Sequence, residues 1–201
     1  MTGSDQETIR GRFRSVDFKS VQQQANNPIW DNEPSKLVYD RPAPNANALI
    51  FEDDKLLEGI PDKELGTNGL FMTAASPLSH IGPYKNAIDF LIYDGTPVLA
   101  AYDGVITEVK EDSRKWGDGE KFRDHLNYIT VQHGEEFTQY CHLAKNSVRK
   151  LGLKVGDQVT KGQQIATVGK TGWTDRDHLH FIVFRSDNNQ FGFKSLVPRF
   201  Y

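Results

Sequence analysis

The sequence predicts an all-β protein, a sandwich or barrel-like domain preceded by a largely irregular N-terminal extension. Three observations carry this prediction. Short apolar or alternating runs recur from Phe71 to Phe184, turn residues separate them, and the first 45 residues are polar with few periodic apolar positions. At 201 residues the chain fits one domain plus an extension. A domain near 150 residues buries roughly 70% of its unfolded-chain surface, which is enough for a sizeable core.

Residues 1–45 contain Gln22-Gln23-Gln24 and Arg41-Pro42-Ala43-Pro44, the composition of an arm. Ile29 and Trp30 could dock that arm on the main domain or stay free. Residues 46–201 are read as one domain. It opens on a transition segment, 46–70, with a single apolar patch at Ala48-Leu49-Ile50-Phe51. Ala87–Ile92 is a buried strand candidate. Val98–Ala101 and Val105–Val109 flank Asp103-Gly104 and read as a hairpin. Residues 111–126, charged and Gly-containing, read as a long surface loop. Tyr128–His133 and Phe137–His142 are strands turning at Gly134, and Gln164–Val168 and His178–Phe184 complete the set.

Hydrophobic residues make up 37% of the chain and charged residues 25%, as in ordinary soluble proteins. The net charge of -3 gives no electrostatic reason to expect nucleic acid. No stretch approaches the roughly 20 apolar residues of a membrane span. Met1–Asn26 lacks the apolar centre of a secretory signal. Cys141 is the only cysteine, so no internal disulfide can form.

The chemistry concentrates in His178-Leu179-His180-Phe181. On a strand, alternation puts both imidazoles on one face and Leu179, Phe181 and Val183 on the other. A bare His-x-His pair is more often a pair of surface or hydrogen-bonded histidines, so by itself it is weak evidence for a metal site. Asp89, between Ile88 and Phe90, is costly inside an apolar strand unless it meets a metal, a donor or a Lys or Arg. His142 ends another strand and His80 precedes the Gly82-Pro83 break. Histidine and carboxylate are the usual protein ligands of catalytic zinc. His133, before a Gly turn, and His125, in the charged loop, read as surface histidines, and Cys141 reads as a packing residue. Trp116 and Trp173 could line a substrate groove or pack.

Taken together, these pieces resemble the lysostaphin-type peptidoglycan endopeptidases over roughly half the chain, His80 to about Phe184. The resemblance rests on Ala87-Ile88-Asp89-Phe90, Gly95-Thr96-Pro97-Val98, Asp103-Gly104-Val105-Ile106, Tyr140-Cys141-His142-Leu143, Val155-Gly156-Asp157, Lys161-Gly162-Gln163, Gly169-Lys170-Thr171-Gly172 and His178-Leu179-His180-Phe181 in that order. It implies a two-layer antiparallel β fold with a groove carrying Zn2+. It also implies Asp89 and His180 as zinc ligands, and His142 and His178 as the two histidines beside a metal-activated water that attacks a peptide carbonyl. The implied substrate is the peptide of bacterial peptidoglycan, and the implied location is the cell envelope or outside the cell.

The family usually sets its first histidine ligand four residues before the aspartate, where this chain has Lys85. An ammonium has no lone pair to give. His80, nine positions before Asp89, is read as the first ligand. Nine extended residues would span roughly 30 Å, so the chain must fold back at Gly82-Pro83. Lys85 also keeps a second reading open, a metal-free degenerate member acting as a binding or regulatory module. A biotinyl- or lipoyl-like carrier shares Val155–Gln163 but needs a suitably flanked lysine at a hairpin tip, and neither Met1 nor Met72 flanks one.

Overall fold

A computed structural model describes residues 18–43, 73–74 and 79–201. Residues 46–70 with the Ala48–Phe51 patch, and most of Met1–Asn26, lie outside the described residues. Among the described residues, twelve strands follow the short helix α1 (Phe18–Gln23): β1 Thr73–Ala74, β2 Ile88–Phe90, β3 Pro97–Leu99, β4 Gly104–Lys110, β5 Trp116–Gly117 and β6 Tyr128–His133, then β7 Glu136–Cys141, β8 Gln158–Val159, β9 Gln164–Thr167, β10 Gly172–Trp173, β11 Leu179–Ser186 and β12 Phe193–Leu196. Eight of them form one sheet in the order β1-β2-β11-β7-β6-β4-β8, with β12 joined to β11. All its pairings are antiparallel. Two two-stranded sheets, β3-β9 and β5-β10, lie off it.

Alternation on β11 organises the interior. Leu179, Phe181 and Val183 enter the main core with Phe90, Ile106, Ile129, Val131 and Tyr140. On the opposite face Ile182 and Phe184 join a second cluster with Val21, Trp30, Phe137 and Phe193. A fully buried side chain of this size contributes roughly 1.5–3 kcal/mol. His180 shares the second face but stands where β11 pairs with β2, clear of that cluster.

The described part of the arm is irregular beyond α1, yet it docks. Trp30 is 4% exposed, whereas Ile29 stays at the surface. Tyr39 is fully buried in the main core, and its hydroxyl donates to Glu136 Oε2 at 2.8 Å. Ser35 Oγ donates to the same oxygen at 2.5 Å. Glu33 makes a two-pronged contact with Arg185, at 3.0 and 2.9 Å, and Asp31 pairs with Lys194 at 2.8 Å.

Two expectations fail. The strands either side of Asp103-Gly104 form no hairpin: β3 pairs with β9, whereas β4 pairs with β6 and β8. Residues Ala101–Asp103 bend instead, and Gly104 begins β4 against β6. A Cβ on Gly104 would stand 2.4 Å from Gln132 O, so glycine here serves close strand approach, not a turn. His133 is buried, not at the surface. Its Nδ1 lies 2.7 Å from Asp103 O and its Nε2 2.8 Å from Thr138 Oγ1, with Tyr39 and Tyr102 against its ring. The 111–126 loop also carries structure, namely β5 and a 3-10 segment over Glu120–His125.

Candidate metal centre

β2 and β11 run side by side with Asp89 directly opposite His180. His180 Nδ1 lies 2.8 Å from Asp89 Oδ1. His80 arrives from the turn before β2. Gly82, at φ 57, starts a 3-10 segment, Gly82–Tyr84, that folds the chain back, which is the left-handed conformation glycine adopts without steric cost. His80 Nε2 then lies 3.2 Å from Asp89 Oδ1 and 3.3 Å from His180 Nδ1. Three donor atoms on one small triangle can hold a metal ion. A tetrahedron of 2.0–2.1 Å bonds has edges of roughly 3.3 Å, which two of these three separations match. The donor chemistry and the geometry both fit zinc.

Burial pushes the Asp89 carboxyl up, but His178, His80 and His180 around it overcome that and hold it well below the usual range. For His180 the balance runs the other way. Burial lowers its pKa and outweighs the attraction of Asp89, favouring the neutral imidazole that a metal requires.

His142 and His178 flank this triangle with ring centroids 4.3 Å apart. His178 Nε2 is 3.9 Å from Asp89 Oδ1. His142 follows β7 at φ 62, an uncommon conformation for a non-glycine residue. That twist interrupts the strand alternation between Cys141, which pairs with His180, and Leu143, which is fully buried. His142 Nδ1 lies 2.7 Å from Thr171 O, an acceptor only, so Nδ1 carries the hydrogen and Nε2 is left as an acceptor. Burial, reinforced by His178 and His180, holds His142 well below its ordinary pKa.

Gly169 makes the Thr171 contact possible. A Cβ there would stand 2.5 Å from the Ala144 backbone, so only glycine lets the two segments approach this closely. His178 Nδ1 is held by Arg176 O at 3.1 Å and Thr174 Oγ1 at 3.3 Å. Sequence reasoning singled out neither Thr171 nor Thr174 as a site residue. Asn127, fully buried and bridging Ser113 O and Leu143 O, carried no sequence signal.

Cys141 is buried beside the site with its thiol pushed up by burial, which disfavours the nucleophilic thiolate. Trp116 remains half-exposed, with the Lys170 ammonium 4.7 Å from its ring centroid. Trp173 Nε1 donates to Asp118 at 3.1 Å.

The model of peptidase family M23 matches residues 83–191, more than half of the chain and four of the five site residues. The chain belongs to peptidase family M23. His80 stands just outside the matched segment, and Lys85 inside it. Among M23 relatives, an uncharacterized metalloprotease of Haemophilus influenzae is 36% identical over 102 residues, covering 50% of this chain and 18% of that protein. Peptidoglycan DD-endopeptidase ShyA of Vibrio cholerae is 34% identical over 114 residues, 56% of this chain and 23% of its own. Lysostaphin of Staphylococcus staphylolyticus is 34% identical over 105 residues, 52% and 19%. The chain thus spans about a fifth of the length of these relatives. The solved catalytic domain of lysostaphin from Staphylococcus simulans aligns over 55% of this chain and 74% of that one, at 28% identity and a TM-score of 0.39. No described helix is long and apolar enough to cross a membrane.

Proposed function

We propose that this M23 chain is a zinc-dependent endopeptidase that hydrolyses peptide bonds of bacterial peptidoglycan. The observation that carries the reading is the convergence of His80, Asp89 and His180 on one small triangle, with the rings of His142 and His178 close together beside it. His80, Asp89 and His180 would hold the ion. When bound, zinc would supply a Lewis acid and lower the pKa of a coordinated water toward 7. With two neutral ligands and one anionic, a bound zinc would leave the centre a charge near +1, which would suit a developing oxyanion.

The neutral His142, its Nδ1 hydrogen fixed on Thr171 O, has Nε2 free to accept a proton or to orient water. His178, held through Nδ1 by Arg176 O, presents Nε2 toward Asp89 and the same space. Once protonated at Nε2, either histidine would become a donor to the developing oxyanion. The likeness to relatives such as the peptidoglycan DD-endopeptidase ShyA supports this substrate class. An enzyme acting on that substrate would work in the cell envelope or outside the cell.

The second reading, a metal-free binding or regulatory module, drew its support from Lys85. That ammonium donates to Trp30 O at 2.9 Å, so the lysine has a structural task that does not require loss of the metal centre. Metal analysis of the purified chain, followed by digestion of wall fragments and mass spectrometry of new amine ends, tests the proposal. Near-stoichiometric zinc with new amine ends is expected. Absence of both after purification in zinc-containing buffer would leave the module reading.

A further inference from the structure

We infer that residues 21–31 of the N-terminal arm are a positioning element of the metal centre: Val21 and Trp30 seat the turn that carries His80, and Lys85 locks this stretch onto it. The inference rests on the zinc reading of the site. Two of the three donors, Asp89 and His180, lie on paired strands whose register holds them opposite each other. His80 has no strand of its own and depends on the segment between Ile81 and Ala87.

That segment is gripped from two sides. On the arm side, Gly82 is buried under Val21 and Trp30, and a Cβ at Gly82 would meet Val21 Cγ1 at 3.3 Å. Lys85 Nζ donates to Trp30 O at 2.9 Å, and Asn86 Nδ2 to Asp31 O at 3.1 Å. Trp30 is itself fixed, its indole Nε1 donating to Gln24 O at 2.8 Å. On the sheet side, Asn86 N donates to Ser195 Oγ at 3.1 Å, and Tyr84 stacks edge-on against Phe193 at 5.2 Å. Ile81 and Tyr84 pack into the same cluster as Val21, Trp30 and Phe193.

The residue at the position of the family's usual histidine has therefore changed task. Lys85 supplies no ligand and instead fastens the arm that seats His80. Outer partners that orient a ligand typically change metal affinity by 10–100-fold when removed. A displaced His80 would leave Asp89 and His180 in place, so affinity should fall without loss of the fold.

The test measures Zn2+ affinity of the full chain by competition with a chelating dye, together with the visible spectrum of the Co2+-loaded protein. The wild type is compared with Lys85→Met, Lys85→Arg, Trp30→Ala and, as a control for general destabilisation, Tyr39→Phe, which loses its bond to Glu136 and packs in the main core, outside the cluster that holds the turn. Lys85→Met is expected to bind zinc roughly tenfold more weakly and to lose intensity in the Co2+ bands. Lys85→Arg, which can still donate to Trp30 O, should restore both, and Tyr39→Phe should change neither. Lys85 is exposed, so its variants report even if Trp30→Ala fails to fold. Unchanged affinity in Lys85→Met, no rescue by arginine, or an equal loss in Tyr39→Phe would overturn the inference alone. A wild type that binds no zinc would overturn the reading of the site beneath it.

Discussion

Replacing His180 with alanine removes one of three donor atoms while leaving the sheet that carries them intact. The consequence is clearest as a zinc-dependent shift in thermal stability. Free zinc at 100 times its dissociation constant stabilises the folded wild type by about 2.7 kcal/mol. For a chain of this size, 1 kcal/mol moves Tm by roughly 2–4 °C, so zinc should raise the wild-type midpoint by roughly 5–11 °C. His180→Ala also takes from buried Asp89 its partner at 2.8 Å, a loss of about 1–3 kcal/mol that already lowers the zinc-free midpoint. Comparing each protein with and without zinc cancels that second effect. The variant should show no zinc-dependent rise, whereas His178→Ala, whose Nε2 is 3.9 Å from Asp89 and outside the triangle, should keep it. Scanning calorimetry with and without zinc makes the measurement. A rise of wild-type size in His180→Ala refutes the assignment of the donors.

The remaining predictions concern catalysis, pH and backbone approach. His142→Ala and His178→Ala should each retain zinc and lose roughly 10²–10⁴ in kcat on wall peptide, and zinc loss or full turnover in either contradicts the roles assigned here. Burial holds His133 below its ordinary pKa against the opposing pull of Asp103 O and Glu136. Below about pH 6.5 the unfolded chain therefore takes up a proton that the folded chain refuses. Stability contributed by the neutral ring is intact above that pH and is lost as pH falls through the folded value. Urea midpoints in zinc-free buffer should drop between about pH 8 and about pH 5, and the drop should be smaller in His133→Gln. An identical pH slope in the variant counts against this account. Gly104→Ala should cost about 1–3 kcal/mol, because its Cβ would stand 2.4 Å from Gln132 O and 2.6 Å from His133 Nδ1. Its zinc content should be unchanged, and a wild-type Tm would show that the strands can separate at no cost.

Most strands were legible because their signal is local. Tyr128–His133 alternates and ends at Gly134, and the strand runs over those same residues. The Asp103-Gly104 reading failed because the dipeptide reports a local bend but not which strand the chain pairs with after it. β4 pairs with β6, more than twenty residues away, and the bend passes the chain between two sheets. His133 was misread for a related reason. Its position before a glycine turn describes the backbone, but its burial comes from Tyr39, which is contributed by the distant arm. Trp30 carried an ambiguous signal, since an aromatic in a polar arm is compatible with docking or exposure until Phe191 and the rest of its cluster are assembled.

By itself the sequence determined that the chain is β-rich, that alternation puts His178 and His180 on one strand face, and that its motifs follow the M23 pattern in order. Periodicity and motif order are properties of the chain alone, so they survive without coordinates. Only the tertiary structure decided that His80 reaches Asp89, that His142 turns toward His178 through a left-handed backbone, and that the Lys85 ammonium reaches Trp30 O. Each of these depends on segments brought together across tens of residues, where burial and close approach between distant elements select the conformation and local preference does not.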